Sequence, residues 1–159
     1  MMPGDDRATL RQAVQAFRER NAEHLSHTEE WVSSEARVFF EAHDVAHVLF
    51  DCDISLFGEG AVKIWTLFGT DLGFWGHITG YREASAFELS RHFGVSHAIS
   101  NTIKLLPSIP LIIVRAKRMR KLWPWMGFER HLDTPILDIR EEYQIDVLNY
   151  GHSERSLRH

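Results

Sequence analysis

Residues 43 to 59 contain His43-Asp-Val-Ala-His47, then eleven residues, then Glu59, a spacing that can close a cage around a divalent metal. On a helix, His43 and His47 are four apart, so both imidazoles leave one face, stacked a turn apart. Asp44 lies about 100° round from His43 and three residues before His47, so it borders the same stripe. The chain then carries a break at Asp53 to Ser55 and at Phe57-Gly58, where it can turn and send a second helix back past the first. Glu59 falls at the start of that second helix. The pattern therefore asks for two helices packed side by side, which limits the fold more than any other stretch. Imidazole with carboxylate suits zinc, iron(II), manganese or cobalt, and two His with one carboxylate leave positions open for a substrate.

Periodicity elsewhere predicts a mainly α chain, a single-domain bundle of about six to eight helices. Asp5 or Asp6 is the expected cap of a first helix ending near Asn21, with Leu10, Ala13, Val14 and Phe17 on its apolar face. Ser26-His-Thr-Glu29 has the form of a capping box that opens a second helix around Trp31. A longer helix from about Ser34 to Phe50 carries the metal motif, with Val38, Phe39, Ala42, Ala46 and Leu49 available for packing. Another starts near Gly58 and runs through Val62, Trp65 and Leu67. Residues 84–93 and 96–106 read as helices, and Pro107 and Pro110 break the chain before a basic helix at about 111–122. Asp133-Thr134-Pro135 combines a cap with Pro at the first helical position, predicting a helix from Pro135 to about Tyr143. The expected organisation is an N-terminal helix in 1–22, a metal-binding helical domain in 23–148 and a flexible tail in 149–159, with one globular domain overall.

A chain of 159 residues is long enough to bury a substantial core. The net charge of −4 argues against a general nucleic-acid binder, which needs a dominant basic field. Cys52 is the single cysteine and cannot form an internal disulfide, so a reducing compartment is expected. The acidic start lacks the basic and apolar stretches of a secretory signal, and no apolar run is long enough to span a bilayer. The closest, Leu105 to Val114, is interrupted by Pro107 and Pro110.

Two His four apart on a helix occur without metal, and that pair alone would read as structural. Asp44 and Glu59 alter the balance, because buried carboxylates beside imidazoles are costly unless paired or liganded. His43, His47 and Glu59 are the first choice of ligands. Asp44 is either a fourth ligand or the acceptor that orients a ligating imidazole.

The whole pattern, His43-Asp44-x-x-His47-(eleven residues)-Glu59, resembles the signature of the Coq4 family of ubiquinone-biosynthesis proteins. The segment from Trp123-Pro-Trp125 through Leu132-Asp-Thr-Pro135-Ile-x-x-Ile-Arg140 is similar to that family's closing segment, so the resemblance covers roughly residues 35 to 145. It implies a helical protein that binds a divalent metal and a polyprenylated aromatic ring. It further implies replacement of the ring's C1 carboxyl by hydroxyl, an oxidative decarboxylation, with His43, Asp44, His47 and Glu59 as metal and catalytic residues. Zinc is the first expectation for the ion; iron, manganese or cobalt would suit oxygen activation, because zinc has no redox chemistry. Expected partners are the prenylated quinone precursor, other quinone-biosynthesis enzymes and a second copy of the chain. The expected location is cytoplasmic, peripheral to the inner membrane. A reading from another class is a non-catalytic scaffold that holds the prenylated intermediate. A metal-dependent hydrolase fits less well, since the His-Glu-x-x-His proteases need Glu where Asp44 stands.

The basic run Arg115-Ala-Lys117-Arg118-Met-Arg120-Lys121 lies between Leu111-Ile-Ile-Val114 and the pair Trp123 and Trp125. Cations beside an aliphatic run and interfacial Trp suit an anionic membrane surface, so 111–125 is the expected peripheral contact. The competing reading is a solvated helix face with Trp in the core. His77, His92, His97 and His131 are scattered and read as surface or hydrogen-bonded residues, and Cys52 as a structural thiol. Gly73-x-x-Gly76-x-x-x-Gly80 lacks a phosphate-loop Lys-Ser/Thr and assigns no nucleotide site. Phe68, Phe74 and Trp75 could line a groove for an isoprenoid tail, although core packing explains them as well.

Overall fold

The computed structural model describes residues 7–22, 34–73, 76 and 106–148. Within them the chain is mainly α, with five helices, one 3-10 turn and no strand. The helices expected around Trp31 and at 84–93 and 96–106, together with His77, His92, His97, Phe74, Trp75 and the tail from 149, lie outside the described residues.

Helix α1, Leu10–Arg20, buries Leu10, Ala13, Val14 and Phe17, the stripe its periodicity predicts. Its cap is Thr9 rather than Asp5 or Asp6. The Thr9 hydroxyl accepts from the Gln12 N–H, and the Gln12 side chain accepts from the Thr9 N–H, a reciprocal capping box. The N–H groups of Leu10 and Arg11, orphaned at any helix start, instead donate to the carbonyls of Thr134 and Leu132. The first helix is thereby stitched to the C-terminal part of the chain.

Helix α2, Ser34–Leu49, buries Ala42, Val45, Ala46, Val48 and Leu49. Helix α3, Leu56–Gly69, is capped by Ser55, whose hydroxyl accepts from the Gly58 N–H at 3.1 Å. The break between them is Phe50 to Ser55, and Phe57-Gly58 lies inside α3 rather than in the break. Gly58, in the first turn of α3, lets the connecting loop fold closely against the helix start. A Cβ on Gly58 would lie 2.1 Å from the Asp53 carbonyl oxygen. Helix α2 packs on both α1 and α3, and α3 also packs on helix α4, Ser108–Arg118.

Helix α4 starts three residues before the expected position, with Pro110 in its first turn, where a missing N–H loses no helical bond. It ends at Arg118, so Lys121 and Leu122 fall outside it. A 3-10 turn at Phe128–His131 precedes helix α5, Ile136–Tyr143. Pro135 is the residue before α5 rather than its first, with extended ψ of 141°, and the expected Asp133 cap bond is absent there. The core is aromatic: Trp65 stacks on Phe50 with centroids 4.7 Å apart, and Trp123 meets Tyr143 edge-on at 5.1 Å.

Trp123 and Trp125 are each 1% exposed, so they are core residues and not interfacial anchors. Trp123 is locked by paired backbone bonds, its N–H to the Gly69 carbonyl and its carbonyl to the Asp71 N–H. The Trp125 N–H donates to the Asp71 carboxylate at 2.7 Å.

Candidate metal centre

The end of α2 places the first ligand. Asp51 takes a left-handed conformation, φ 53°, which stops the helix and turns the chain back over its last turn. The Cys52 N–H then reaches the His47 carbonyl at 2.9 Å and the Asp51 N–H reaches the Val48 carbonyl, the two bonds of a Schellman motif. Arg140 of α5 completes the cap from outside, with Nε on the Leu49 carbonyl at 3.0 Å and Nη2 on the Val48 carbonyl at 3.1 Å. The carbonyl of Cys52 is left facing back toward the helix, 3.1 Å from His47 Nδ1.

That last contact fixes the chemistry of His47. A carbonyl can only accept, so Nδ1 carries the proton, and in the neutral ring Nε2 presents its lone pair. This Nε2 lies 3.1 Å from Glu59 Oε1, with the ring side chain 1% exposed. The approach lacks hydrogen-bond alignment, leaving Nε2 buried without a satisfying donor or acceptor. A buried lone pair this close to a carboxylate oxygen calls for a cation between or beside them, either a proton on the ring or a metal.

His43, one turn earlier, places Nε2 at 3.8 Å from the other Glu59 oxygen. Its ring meets that of His47 nearly edge-on, with centroids 4.6 Å apart. One donor atom from each of His43, His47 and Glu59 falls within 4.8 Å of the other two. Ligands about 2.0–2.2 Å from a tetrahedral ion stand roughly 3.4 Å apart. The 3.1 and 3.8 Å separations bracket that value, so the three residues fit a divalent ion with small side-chain adjustment. Glu59 reaches the site because it lies in the first turn of α3, where a carboxylate is also favoured by the helix dipole.

Asp44 goes elsewhere. Its Oδ2 accepts from Arg18 Nε at 2.7 Å, and its side chain is 13% exposed. Asp44 thus does not join the His43, His47 and Glu59 cluster, though its charge still acts on His47. Helix α1 also supplies Phe17, whose ring stacks on His47 at 5.3 Å and shields it from water.

The electrostatics follow from burial and these partners. Burial opposes the His47 imidazolium, but the adjacent Glu59 carboxylate and the Cys52 carbonyl outweigh it and hold the ring above its ordinary value. Burial pushes the Glu59 carboxyl up, yet the two imidazoles and Lys63 pull it below the usual carboxylate range. For Asp44 burial prevails over the Arg18 guanidinium, and the carboxyl sits above its ordinary value. Burial also pushes the Cys52 thiol far up, as expected of a structural cysteine.

Sequence reasoning brought His43, His47 and Glu59 together correctly and missed four contributors: Phe17, Arg18, Arg140 and Lys63. Lys63 could have been found from its spacing, four residues after Glu59 on α3. The other three come from distant helices and carry no local signal. His131 is hydrogen-bonded, its Nε2 lying 2.9 Å from the Tyr143 hydroxyl. No family model matches the chain, and neither does any characterised protein or solved structure.

Proposed function

We propose that the protein is a divalent-metal-dependent enzyme of quinone biosynthesis, similar to the Coq4 proteins, acting on a polyprenylated benzoate-type ring. The observation that carries the metal part is the buried lone pair of His47 held opposite Glu59, with His43 beside it. The choice of substrate rests on the motif's resemblance. His43, His47 and Glu59 would hold the ion, and Asp44 would stay with Arg18 at its edge. The ion supplies Lewis acidity toward a ring carboxylate or neighbouring hydroxyl. Phe17 keeps water from one side of His47, which strengthens every charge interaction inside. In the balanced conversion, a ring carboxylic acid, dioxygen, two electrons and two protons give a ring hydroxyl, carbon dioxide and water. Dioxygen is the oxidant and a separate two-electron donor is required.

No helix among the described residues is long and apolar enough to cross a membrane. A prenylated substrate must nevertheless come from a bilayer, and the α4 side offers a surface for that contact. Leu111, Val114, Lys117 and Arg118 are exposed on α4, and Arg120, Leu122 and Met126 are exposed in the segment that follows it. Arg115 and Lys121 are engaged within the fold, by Asp146 and Glu142 respectively. Flotation with anionic vesicles at low salt is the expected behaviour; failure to float would remove the membrane part of the proposal.

Activity is tested by loading chelator-treated protein with zinc, iron(II), manganese or cobalt and supplying a polyprenylated hydroxybenzoate, dioxygen and a two-electron donor. Mass spectrometry should show metal-dependent loss of carbon dioxide with gain of a ring hydroxyl. His43→Ala and Glu59→Ala should abolish the product while keeping the helical content. Metal-dependent substrate retention with no product would favour the non-catalytic scaffold, and a fully active, metal-free His43→Ala protein would end the metal reading.

A further inference from the structure

Helix α1 reaches the metal-bearing part of α2 through two adjacent residues near its C-terminal end. Phe17 lays its ring on the His47 imidazole, with centroids 5.3 Å apart and planes 23° from parallel. Arg18 binds the Asp44 carboxylate at 2.7 Å, one turn before His47 on α2. The Asn21 side-chain amide donates to the Phe17 carbonyl at 2.8 Å and closes the turn that carries both residues. The opposite end of α1 is tied elsewhere. Its Leu10 and Arg11 N–H groups donate to the Thr134 and Leu132 carbonyls, and Arg11 pairs with Asp133 at 3.0 Å. A helix of 11 residues is marginal alone in water, so its place depends on these end contacts and on its buried stripe.

The Phe17 stack acts on both the direction and the charge of His47. The Cys52 carbonyl, 3.1 Å from Nδ1, fixes one atom of the ring but leaves its plane free to tilt about that contact. The flat face of Phe17 sets the plane and thereby the direction of Nε2. An imidazole that gives its Nε2 lone pair to a metal ion becomes positive. The electron-rich face of an aromatic ring attracts a positive group within about 6 Å of its centre. A neutral imidazole gains less, so the same stack is stronger when the ring is loaded. An aliphatic side chain in place of Phe17 would exclude water but supply neither the flat face nor the attraction.

We propose that α1 is a clasp on the metal centre, with Phe17 as its positioning residue. The Phe17 ring holds the His47 imidazole in its ligating orientation and favours the loaded ring, so ion binding and α1 docking strengthen each other. Such coupling is reciprocal: the factor by which a docked α1 raises metal affinity is the factor by which metal favours docking. The inference rests on the metal reading above and adds a regulatory consequence to it. Whatever displaces α1 weakens the centre's hold on its ion.

The test combines zinc titration with hydrogen exchange of the full chain at about pH 8, read by mass spectrometry with and without zinc. In wild type, zinc should slow exchange in α1 by a larger factor than in α4, which packs on α3. Phe17→Leu keeps an apolar side chain without the ring. It should bind zinc about 3- to 30-fold more weakly, the range for a cation facing an aromatic ring, and lose the extra protection of α1. Phe17→Tyr keeps the ring and should retain most of both. Wild-type zinc affinity in Phe17→Leu would overturn the inference. So would zinc uptake by wild type that protects α1 no more than α4, a result independent of any variant's folding. A wild-type protein that takes up no zinc would overturn the metal reading, and this inference with it.

Discussion

Cys52 holds His47 twice, through its N–H on the His47 carbonyl and through its carbonyl on the His47 ring. One backbone unit both ends the metal-bearing helix and sets the tautomer of its second imidazole. Because the Cys52 side chain takes no part, Cys52→Ala should leave metal affinity nearly unchanged. His47→Ala should remove high-affinity binding. Zinc at about one hundred times its dissociation constant should stabilise wild type by about 2.7 kcal/mol. Chelator-treated and zinc-loaded samples compared by thermal denaturation would show this, and no shift in wild type would contradict it.

Arg140 supports the same helix end from α5, donating to the carbonyls of Val48 and Leu49. Arg140→Met removes the donor to the Leu49 carbonyl and leaves the Val48 carbonyl with the Asp51 N–H, and should cost about 1–3 kcal/mol in urea unfolding. Metal affinity should also fall, by about tenfold, because the Schellman turn that aims His47 is loosened. Lysine can reach only one carbonyl at a time, so Arg140→Lys should recover part of each loss. Unchanged zinc affinity in Arg140→Met would show that the turn holds His47 without help.

The metal-free protein should have a stability optimum on the acid side of neutrality. Glu59 titrates below its ordinary 4.5, so its contribution is present above that value and is lost as pH falls through the lowered folded pKa. His47 titrates above its ordinary 6.5, so its contribution is full below that value and is lost as pH rises through the raised folded pKa. Between the two, carboxylate and imidazolium coexist. A bound metal takes the place of the imidazolium proton, so loading should move the optimum to higher pH. Melting temperature against pH, with and without zinc, would reveal the shift; coincident profiles would contradict it.

The parts of this molecule that were readable from its sequence are those encoded by spacing along one helix. The buried stripe Leu10, Ala13, Val14 and Phe17 follows from a period of 3.6, and so does the shared face of His43 and His47. Glu59 was placed correctly because a turn signal preceded it. The Thr9 cap was legible as Thr9-x-x-Gln12 but was obscured by two acids upstream. Other features depend on tertiary contacts. Asp44 finds Arg18 twenty-six residues away, and Arg140 reaches Leu49 across ninety-one. Trp123 and Trp125 resemble interfacial anchors beside basic residues until Gly69 and Asp71 draw them into the core. The Cys52 carbonyl is invisible to residue-type reasoning because it is backbone.

Gly58 should be irreplaceable even though its backbone conformation is ordinary. It sits one residue before Glu59, and an added Cβ would overlap both the Asp53 carbonyl oxygen at 2.1 Å and the Asp53 side chain at 2.2 Å. The Asp53 loop is itself pinned, since the Asp53 carboxylate accepts from both the N–H and the hydroxyl of Ser55. Gly58→Ala must therefore push the start of α3 away from the Asp53 loop that precedes it. A loss of about 2 kcal/mol or more is expected, with zinc affinity reduced because Glu59 moves with the helix. Gly60→Ala, two residues on, is the control and should be milder on both counts. Equal effects of the two variants in denaturation and metal titration would refute the steric argument.

Arg18 and Asp44 provide the sharpest separation between holding a metal and holding the helix beside it. Asp44 is nearly buried, whereas the Arg18 side chain is 43% exposed, so solvent screens part of the pair's attraction. Removing Arg18 strands the less accessible partner, so Arg18→Ala should cost about 1–2 kcal/mol. Asp44→Asn keeps a hydrogen-bond acceptor toward Arg18 while removing the charge, and should be milder in stability. The order should differ for metal. With His43, His47 and Glu59 as the ligand set, Asp44→Asn should retain binding within about 10–100-fold of wild type, the range for residues around a ligand shell. Glu59→Gln should bind far more weakly. Zinc titration of the three variants separates the cases: an Asp44→Asn protein as deficient as Glu59→Gln would make Asp44 a ligand that leaves Arg18 when the ion arrives.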